Sequence, residues 1–164
     1  MNLKISMPLA LVFIWVCSTA SAAEIAWPRS SAAEFSVFFA SQMIRDQIDE
    51  CSPYIDSPAL KPKLGLMKDR LTDRLKAISK ELLESEEFRG INDIRISSDF
   101  VDAMKDHHDR GVRELQSVAN PDLCLRAIAG LALMTNDSDE SLKEMLKKTM
   151  KEVRKVILEP GSLR

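Results

Sequence analysis

A pair of adjacent histidines, His107 and His108, is one of two places in this chain where the residue types suggest chemistry. Acidic residues flank the pair as Asp106 and Asp109, and histidine beside carboxylate is a common metal-binding combination. Helix geometry argues against a metal site, because adjacent residues diverge by about 100° whereas helical ligand pairs are three or four residues apart. We expect His108 to be a core histidine bonded to another helix. His107 and His108 are the metal candidates that the sequence offers, and no cofactor is expected.

The second place is a pair of cysteines, Cys51 and Cys124. A third cysteine, Cys17, lies in an N-terminal leader that we expect to be removed. No C-x-x-C motif suggests redox activity. In an oxidising compartment a lone pair of cysteines is expected to form a disulfide. The sequence therefore predicts a structural disulfide between Cys51 and Cys124, with two inert buried thiols as the alternative.

Familiar catalytic motifs are absent from the sequence. It contains no G-x-S-x-G, H-E-x-x-H or C-x-x-C-H and no glycine-rich phosphate loop. Paired carboxylates such as Asp69 and Asp73 alternate with Arg70 and Arg74, which indicates an exposed charge lattice rather than a tuned acid–base pair. The methionines that follow the leader are expected to fill gaps in the core rather than bind copper. We therefore predict that the protein is not an enzyme.

The leader, residues 1–22, predicts export. It has a positive start, an apolar run over residues 7–17 broken by one proline, and a small-residue A-x-A pattern that ends at Ala22. These features are typical of a secretory signal peptide, and the apolar run is too short to span a bilayer. We expect cleavage before Ala23 and a periplasmic protein without stable membrane insertion, with the extracellular space as the alternative location.

The remaining residues, 23–164, have the composition of one mildly acidic globular domain. The whole chain carries 23 basic and 25 acidic residues, for a net charge of −2. Removal of the leader also removes Lys4, which makes the net charge more negative by one unit. Nothing in this balance favours nucleic acid as a partner. The last predicted helix has a basic face that Glu144 and Glu152 interrupt. We expect that face to be solvated rather than bound to a membrane.

Hydrophobic periodicity and turn residues predict an all-α fold with about five helices. The expected architecture is a single-domain antiparallel helical bundle with one disulfide. The fourth helix, near residues 121–134, is apolar nearly all round apart from Arg126, so we expect it to be central and buried. Helix starts are expected at the capping residues Ser31, Ser97 or Ser98, and Asn120 followed by Pro121. Gly90 is expected to cap the end of the second helix. The predicted helices cover residues 31–50, 62–89, 98–119, 121–134 and 139–158.

The first predicted helix carries two apolar faces, of which one should meet the core. The second face consists of Phe35, Phe39 and Met43, and Trp27 lies just upstream. A neighbouring segment could fold over this face and make it internal. Alternatively, Trp27, Phe35, Phe39 and Met43 form a surface of anchors for a partner protein or for a second copy of the chain.

Together these features favour a protein-binding role. Small size, predicted export, one disulfide and the lack of catalytic motifs suggest a non-enzymatic binding module of the periplasm. An inhibitor or immunity protein against a toxin or hydrolase in the same compartment is a concrete version, with the first helix as the contact. The alternatives are a metal- or haem-binding helical bundle and a structural or chaperone-like envelope protein.

Overall fold

A computed structural model describes residues 26–136 and 139–159, and the regular structure in them is entirely helical. This confirms the predicted all-α class. The predicted leader, residues 1–22, lies outside the described residues. No helix in the described part of the chain is long and apolar enough to cross a membrane. The α-helices are α1 (Ala32–Cys51), α2 (Lys61–Glu84), α3 (Ser98–Val118), α4 (Pro121–Asn136) and α5 (Glu140–Leu158).

Capping side chains begin three of the helices where the sequence predicts. The hydroxyls of Ser31 and Ser97 each accept a hydrogen bond at 3.2 Å from the backbone N–H three residues later. The side-chain oxygen of Asn120 does the same at 3.0 Å. Each cap satisfies a backbone donor that has no partner within its own helix.

The second helix, α2, ends more than one turn earlier than predicted, at Glu84. Two 3₁₀ segments follow it, Glu86–Phe88 and Ile91–Asp93. Gly90 has a left-handed φ of 82° and forms the turn between these segments, so the prediction that it caps α2 is wrong. Phe88 and Ile91 are both buried in the core, and their burial stabilises this tighter path over a longer α2.

The central helix of the bundle is α1 rather than α4. It packs against each of the other four helices, most extensively against α2 and α5. In α4, Ile128 and Leu131 are buried but Leu125 and Leu133 are exposed, so the prediction of a central fourth helix is wrong. The two apolar faces of α1 were the better signal, because a central helix must meet neighbours on both sides.

Helices α1 to α4 alternate in direction, as an antiparallel bundle requires. Phe35 near the start of α1 contacts Phe100 near the start of α3, with ring centroids 5.2 Å apart. Glu50 near the end of α1 accepts a hydrogen bond at 2.9 Å from Gln116 near the end of α3. These two helices therefore run side by side in the same direction. The starts of α2 and α4 meet the end of α1, through the Lys68–Asp49 ion pair and through Cys124 bonded to Cys51, so α2 and α4 run the opposite way.

The last helix, α5, departs from the predicted alternation. Arg74 in the middle of α2 donates to the carbonyl of Met134 and pairs at 2.5 Å with Asp139, so the junction of α4 and α5 lies beside α2. Farther along, Lys151 pairs at 2.6 Å with Glu87, just past the end of α2. The chain thus continues in the direction of α4 instead of turning back, and α5 runs antiparallel to α1.

The predicted disulfide is present. Cys51, the last residue of α1, is bonded to Cys124 in the first turn of α4, and the two Cα atoms are 5.0 Å apart. Both residues are fully buried. The structure therefore confirms the pairing and ties one end of the central helix to its neighbour.

Candidate functional site

The second apolar face of α1 begins inside an aromatic cluster. Trp27 lies over the start of the helix, with its ring centroid 5.8 Å from Phe35 and 5.2 Å from Phe38. Phe100 of α3 meets Phe35 edge-on. Phe35 is fully buried by these contacts, so the prediction that it anchors a partner is wrong. The segment upstream of α1 covers this face instead, which was the packing alternative.

Farther along the same face, the side chains become steadily more exposed. Phe39 and Trp27 are both partly buried, and their ring centroids are 6.2 Å apart. Trp27 and Phe39 therefore belong mainly to the internal cluster. Met43 follows one turn later and is 53% exposed. Of the predicted partner surface, Met43 is the member that projects into solvent.

His108 connects α3 to α1 beneath the aromatic cluster. Its side chain is 8% exposed, and its Nε2 lies 2.5 Å from Oδ2 of Asp46, whose side chain is 20% exposed. Gln42 donates at 2.8 Å to the other oxygen of that carboxylate, and Trp27 packs edge-on against the imidazole at 5.3 Å. The second ring nitrogen, Nδ1, lies 3.2 Å from Oδ1 of Asp109. The prediction of a core histidine bonded to another helix is confirmed.

His107 diverges from His108, as their adjacent positions on a helix predicted. It is exposed, whereas His108 points inward to Asp46. Across residues 26–136 and 139–159, no three His, Cys, Asp or Glu side chains are grouped so that they could hold a metal ion. The geometry of these residues therefore adds no support to either histidine as a metal ligand.

An open apolar groove lies beyond the aromatic cluster. The backbones of α3 and α5 come close at few positions, and the stretch of α1 between them that carries Met43 is left partly uncovered. A cavity of about 330 Å³ lies between α1 and α3, and an adjoining one of about 520 Å³ is lined by α5 as well; Phe39, Met43 and His107 line both. We term it the Met43 groove. It is defined by Phe39, Met43, Met104, His107, Leu115, Met145 and Val156, with Lys148, Glu152 and Lys155 along its α5 edge.

The α5 edge of the groove carries three exposed charged side chains at positions i, i+4 and i+7. They are Lys148, Glu152 and Lys155. Within the described part of the chain, none of the three has an ion-pair partner within 4 Å. These side chains are therefore available to charged groups of a ligand.

Lysines elsewhere on α5 are already paired within the chain. Lys147 donates a hydrogen bond at 2.6 Å to Glu144. That bond lowers the pKa of the Glu144 carboxyl group and raises the pKa of the Lys147 ammonium group. Lys151 pairs at 2.6 Å with Glu87. Among the lysines of the last helix, the two without an ion-pair partner in the described part of the chain, Lys148 and Lys155, both line the groove.

Exposed apolar side chains also occur on the outer face of α4. Leu125, Ala129 and Leu133 are exposed and form one stripe, because they are spaced four residues apart. This surface lies on a single helix, whereas two helices wall the Met43 groove. The groove is therefore the better candidate for a binding site, and the α4 stripe is the competing surface.

Sequence reasoning assigned the walls of the groove to other roles. Met104 and Met145 lie on apolar stripes and were expected in the core, while Lys148 and Lys155 were expected on an ordinary solvated face. Met104 is buried, and Met145 is partly buried against the core. The signal that sequence could have offered is Met43, which extends the second apolar face of α1 past the aromatic residues.

Comparison of this chain with protein-family models, with curated proteins and with solved structures finds no match. No relative therefore assigns a role to the Met43 groove. Its function is inferred from the side chains that line it and from the sequence.

Proposed function

We propose that the protein is a non-enzymatic protein-binding module of the bacterial periplasm that binds its partner through the Met43 groove. The observation that carries this proposal is the 53% exposure of Met43 on the floor of a groove that α3 and α5 leave open. Contiguous exposed apolar surface with a polar rim is characteristic of interaction sites. The proposed contact therefore lies on the first helix, farther along it than Phe35.

The state of His108 supports binding rather than chemistry at this site. Both of its ring nitrogens face carboxylate oxygens, from Asp46 and Asp109. Its ring packs edge-on against both Trp27 and Phe39. Of the two histidines at the groove, His108 is therefore used to join α3 to α1.

An inhibitor or immunity protein that blocks a toxin or hydrolase in the same compartment is the concrete form of the proposal. The predicted leader supports export, and the mildly acidic composition gives no preference for nucleic acid. The disulfide at Cys51 and the aromatic cluster around Phe35 hold α1 near both of its ends. A groove built on a fixed helix is preorganised, which lowers the entropic cost of binding.

Affinity capture from the native envelope extract tests the proposal. Three versions of the protein are compared: the unchanged chain, Met43→Lys, and Leu66→Lys as the matched control. Leu66 is 60% exposed on α2 and does not line the groove. We expect one dominant partner that Leu66→Lys retains and Met43→Lys loses. With that partner purified, Met43→Lys should raise Kd by at least about tenfold, as for a central anchor.

Other outcomes would contradict the proposal in different ways. Retention of the partner by Met43→Lys, with loss on Leu133→Lys, would move the contact to the α4 stripe. Weak capture of many unfolded proteins would indicate a chaperone-like envelope protein. Bound haem or metal in the purified protein would favour the metal- or haem-binding alternative.

A further inference from the structure

We infer that the Met43 groove takes an amphipathic helix of the partner, and that this helix carries an acid–base–acid series along one flank to match Lys148, Glu152 and Lys155. The inference rests on the proposed function and names the chemistry of the partner. An apolar floor and an unpaired charged edge lie side by side in the groove, and their combination carries the inference.

The shape of the groove fits a helix. Its α5 wall extends from Met145 to Val156, which at 1.5 Å per residue is roughly 16 Å, or about three helical turns. On the floor, Phe39 and Met43 are separated by one turn of α1. Because the backbones of α3 and α5 come close at few positions, the groove is the space beside a central helix that another helix would fill in a larger bundle. An elongated occupant therefore uses the length that the groove offers.

The apolar lining is rich in methionine. Met43 comes from α1, Met104 from α3 and Met145 from α5. Methionine is unbranched and polarisable, so it adapts its shape to different apolar side chains. Grooves that receive the apolar face of a helix commonly use such side chains. Three methionines from three helices can thus close around the apolar residues of a docked helix.

The charged edge specifies the flank of that helix. Lys148, Glu152 and Lys155 span seven residues of α5, which is roughly 10.5 Å along its axis. A helix lying alongside presents its own residues i, i+3 or i+4, and i+7 at the same spacing. Acidic residues opposite the two lysines and a basic residue opposite Glu152 would pair all three charges. The reversed pattern would place like charges together and weaken binding.

Methionine-methyl NMR on the purified protein tests the inference with synthetic helical peptides as probes. One peptide, of about four turns, has an apolar stripe flanked by Glu, Lys and Glu at the required spacing. Its counterpart has the same stripe flanked by Lys, Glu and Lys. The first should shift the methyl signals of Met43, Met104 and Met145 and leave those of Met67 and Met150 in place. The second should bind about tenfold more weakly, since three exposed pairs each contribute modestly.

Charge reversal on the protein provides the matched comparison. Lys148→Glu/Lys155→Glu should abolish or invert the preference for the first peptide. Lys151→Glu/Arg154→Glu makes the same change in net charge on α5 at positions that contact Glu87 instead of lining the groove. This control should keep the original preference. A control that also loses it would show that net charge, and not the groove edge, selects the peptide, and would overturn the inference.

Three further outcomes would overturn the inference. Equal binding of the two peptides would show that the charged edge of the groove does not select the flank of the helix. Laurate, an anionic amphiphile, is a further probe. If laurate shifts these methyl signals and neither peptide does, the groove binds an anionic amphiphile instead of a helix. Shifts that depend on protein concentration without any peptide would identify a second copy of the chain as the occupant. If a partner is captured through Met43 while the peptides show no preference, the inference fails and the proposed function stands.

Discussion

The two ends of α1 are held in different ways. At its start, Trp27 and Phe100 pack against Phe35 and bury it completely. Toward its end the cover becomes thinner, Met43 is exposed, and a disulfide from Cys51 ties the helix to α4. The start is closed on this face by aromatic packing, whereas at the end a covalent bond adds to the buried Ile44 and Ile48 on the opposite face.

This difference shows how a small bundle can keep an apolar groove open. Closing the groove with further side chains would bury Met43 as completely as Phe35 and would remove the proposed binding surface. A disulfide holds the end of α1 without covering Met43. Stability and accessibility are thus divided between the two ends of one helix, and variants at each end can test the division.

The largest expected effect is at the packed end. Phe35→Ala should lower the free energy of unfolding by up to about 5 kcal/mol, because it removes a fully buried aromatic ring and leaves a cavity. Chemical denaturation followed by circular dichroism measures this change. A loss below about 1 kcal/mol would show that the aromatic cluster does not hold the start of α1.

The disulfide should contribute nearly as much at the other end. Its cysteines are 73 residues apart, and for a loop of that length the chain-entropy model gives about 4 kcal/mol. Cys51→Ser, Cys124→Ser and the double variant should therefore be destabilised equally in the same denaturation experiment. Unequal single variants, or a double variant much less stable than either, would mean that the two thiols have separate roles.

A smaller effect is expected where His108 joins α3 to α1. His108→Ala leaves the partly buried Asp46 carboxylate without its imidazole partner, which should cost about 1 to 3 kcal/mol. His107→Ala is the matched control, because His107 is exposed, and it should change stability by no more than about 0.5 kcal/mol. Similar losses for both variants would indicate that the contact with Asp46 contributes little.

The smallest effect on stability should come from Met43 itself. Met43→Ala removes a side chain that is 53% exposed, so the free energy of unfolding should change by less than about 0.5 kcal/mol. The same variant should nevertheless weaken binding of the partner captured by the unchanged protein. Isothermal titration with that partner measures the loss. If Met43→Ala is destabilised as strongly as Phe35→Ala, Met43 belongs to the core and the two ends of α1 do not differ in this way.

Much of the fold could be predicted from local patterns. The caps at Ser31 and Ser97, the proline that begins α4 and the apolar stripes predicted the helices to within a few residues, except at the end of α2. These signals are local, because a cap acts within one turn and a stripe reflects the period of a single helix. The α2 boundary was missed because burial of Phe88 and Ile91, a tertiary effect, outweighed the local signal at Gly90.

The candidate site was only partly predictable. Periodicity placed Phe35, Phe39 and Met43 on one face of α1, and the structure agrees with that grouping. It could not show that Trp27 covers Phe35 and leaves Met43 exposed, because covering depends on segments packed against the face. For the same reason, Lys148 could not be told from the other lysines of its helix.

The sequence by itself determined the helical class, most helix boundaries, the pairing of Cys51 with Cys124 and the inward direction of His108. Each follows from spacing along one helix or from the pairing of two cysteines. Only the tertiary structure decided that α1 is central, that α5 continues in the direction of α4, and that α3 and α5 stay apart over Met43. The physical reason is that periodicity specifies which side chains share a face, whereas the neighbour of that face is chosen by packing between segments far apart in the chain.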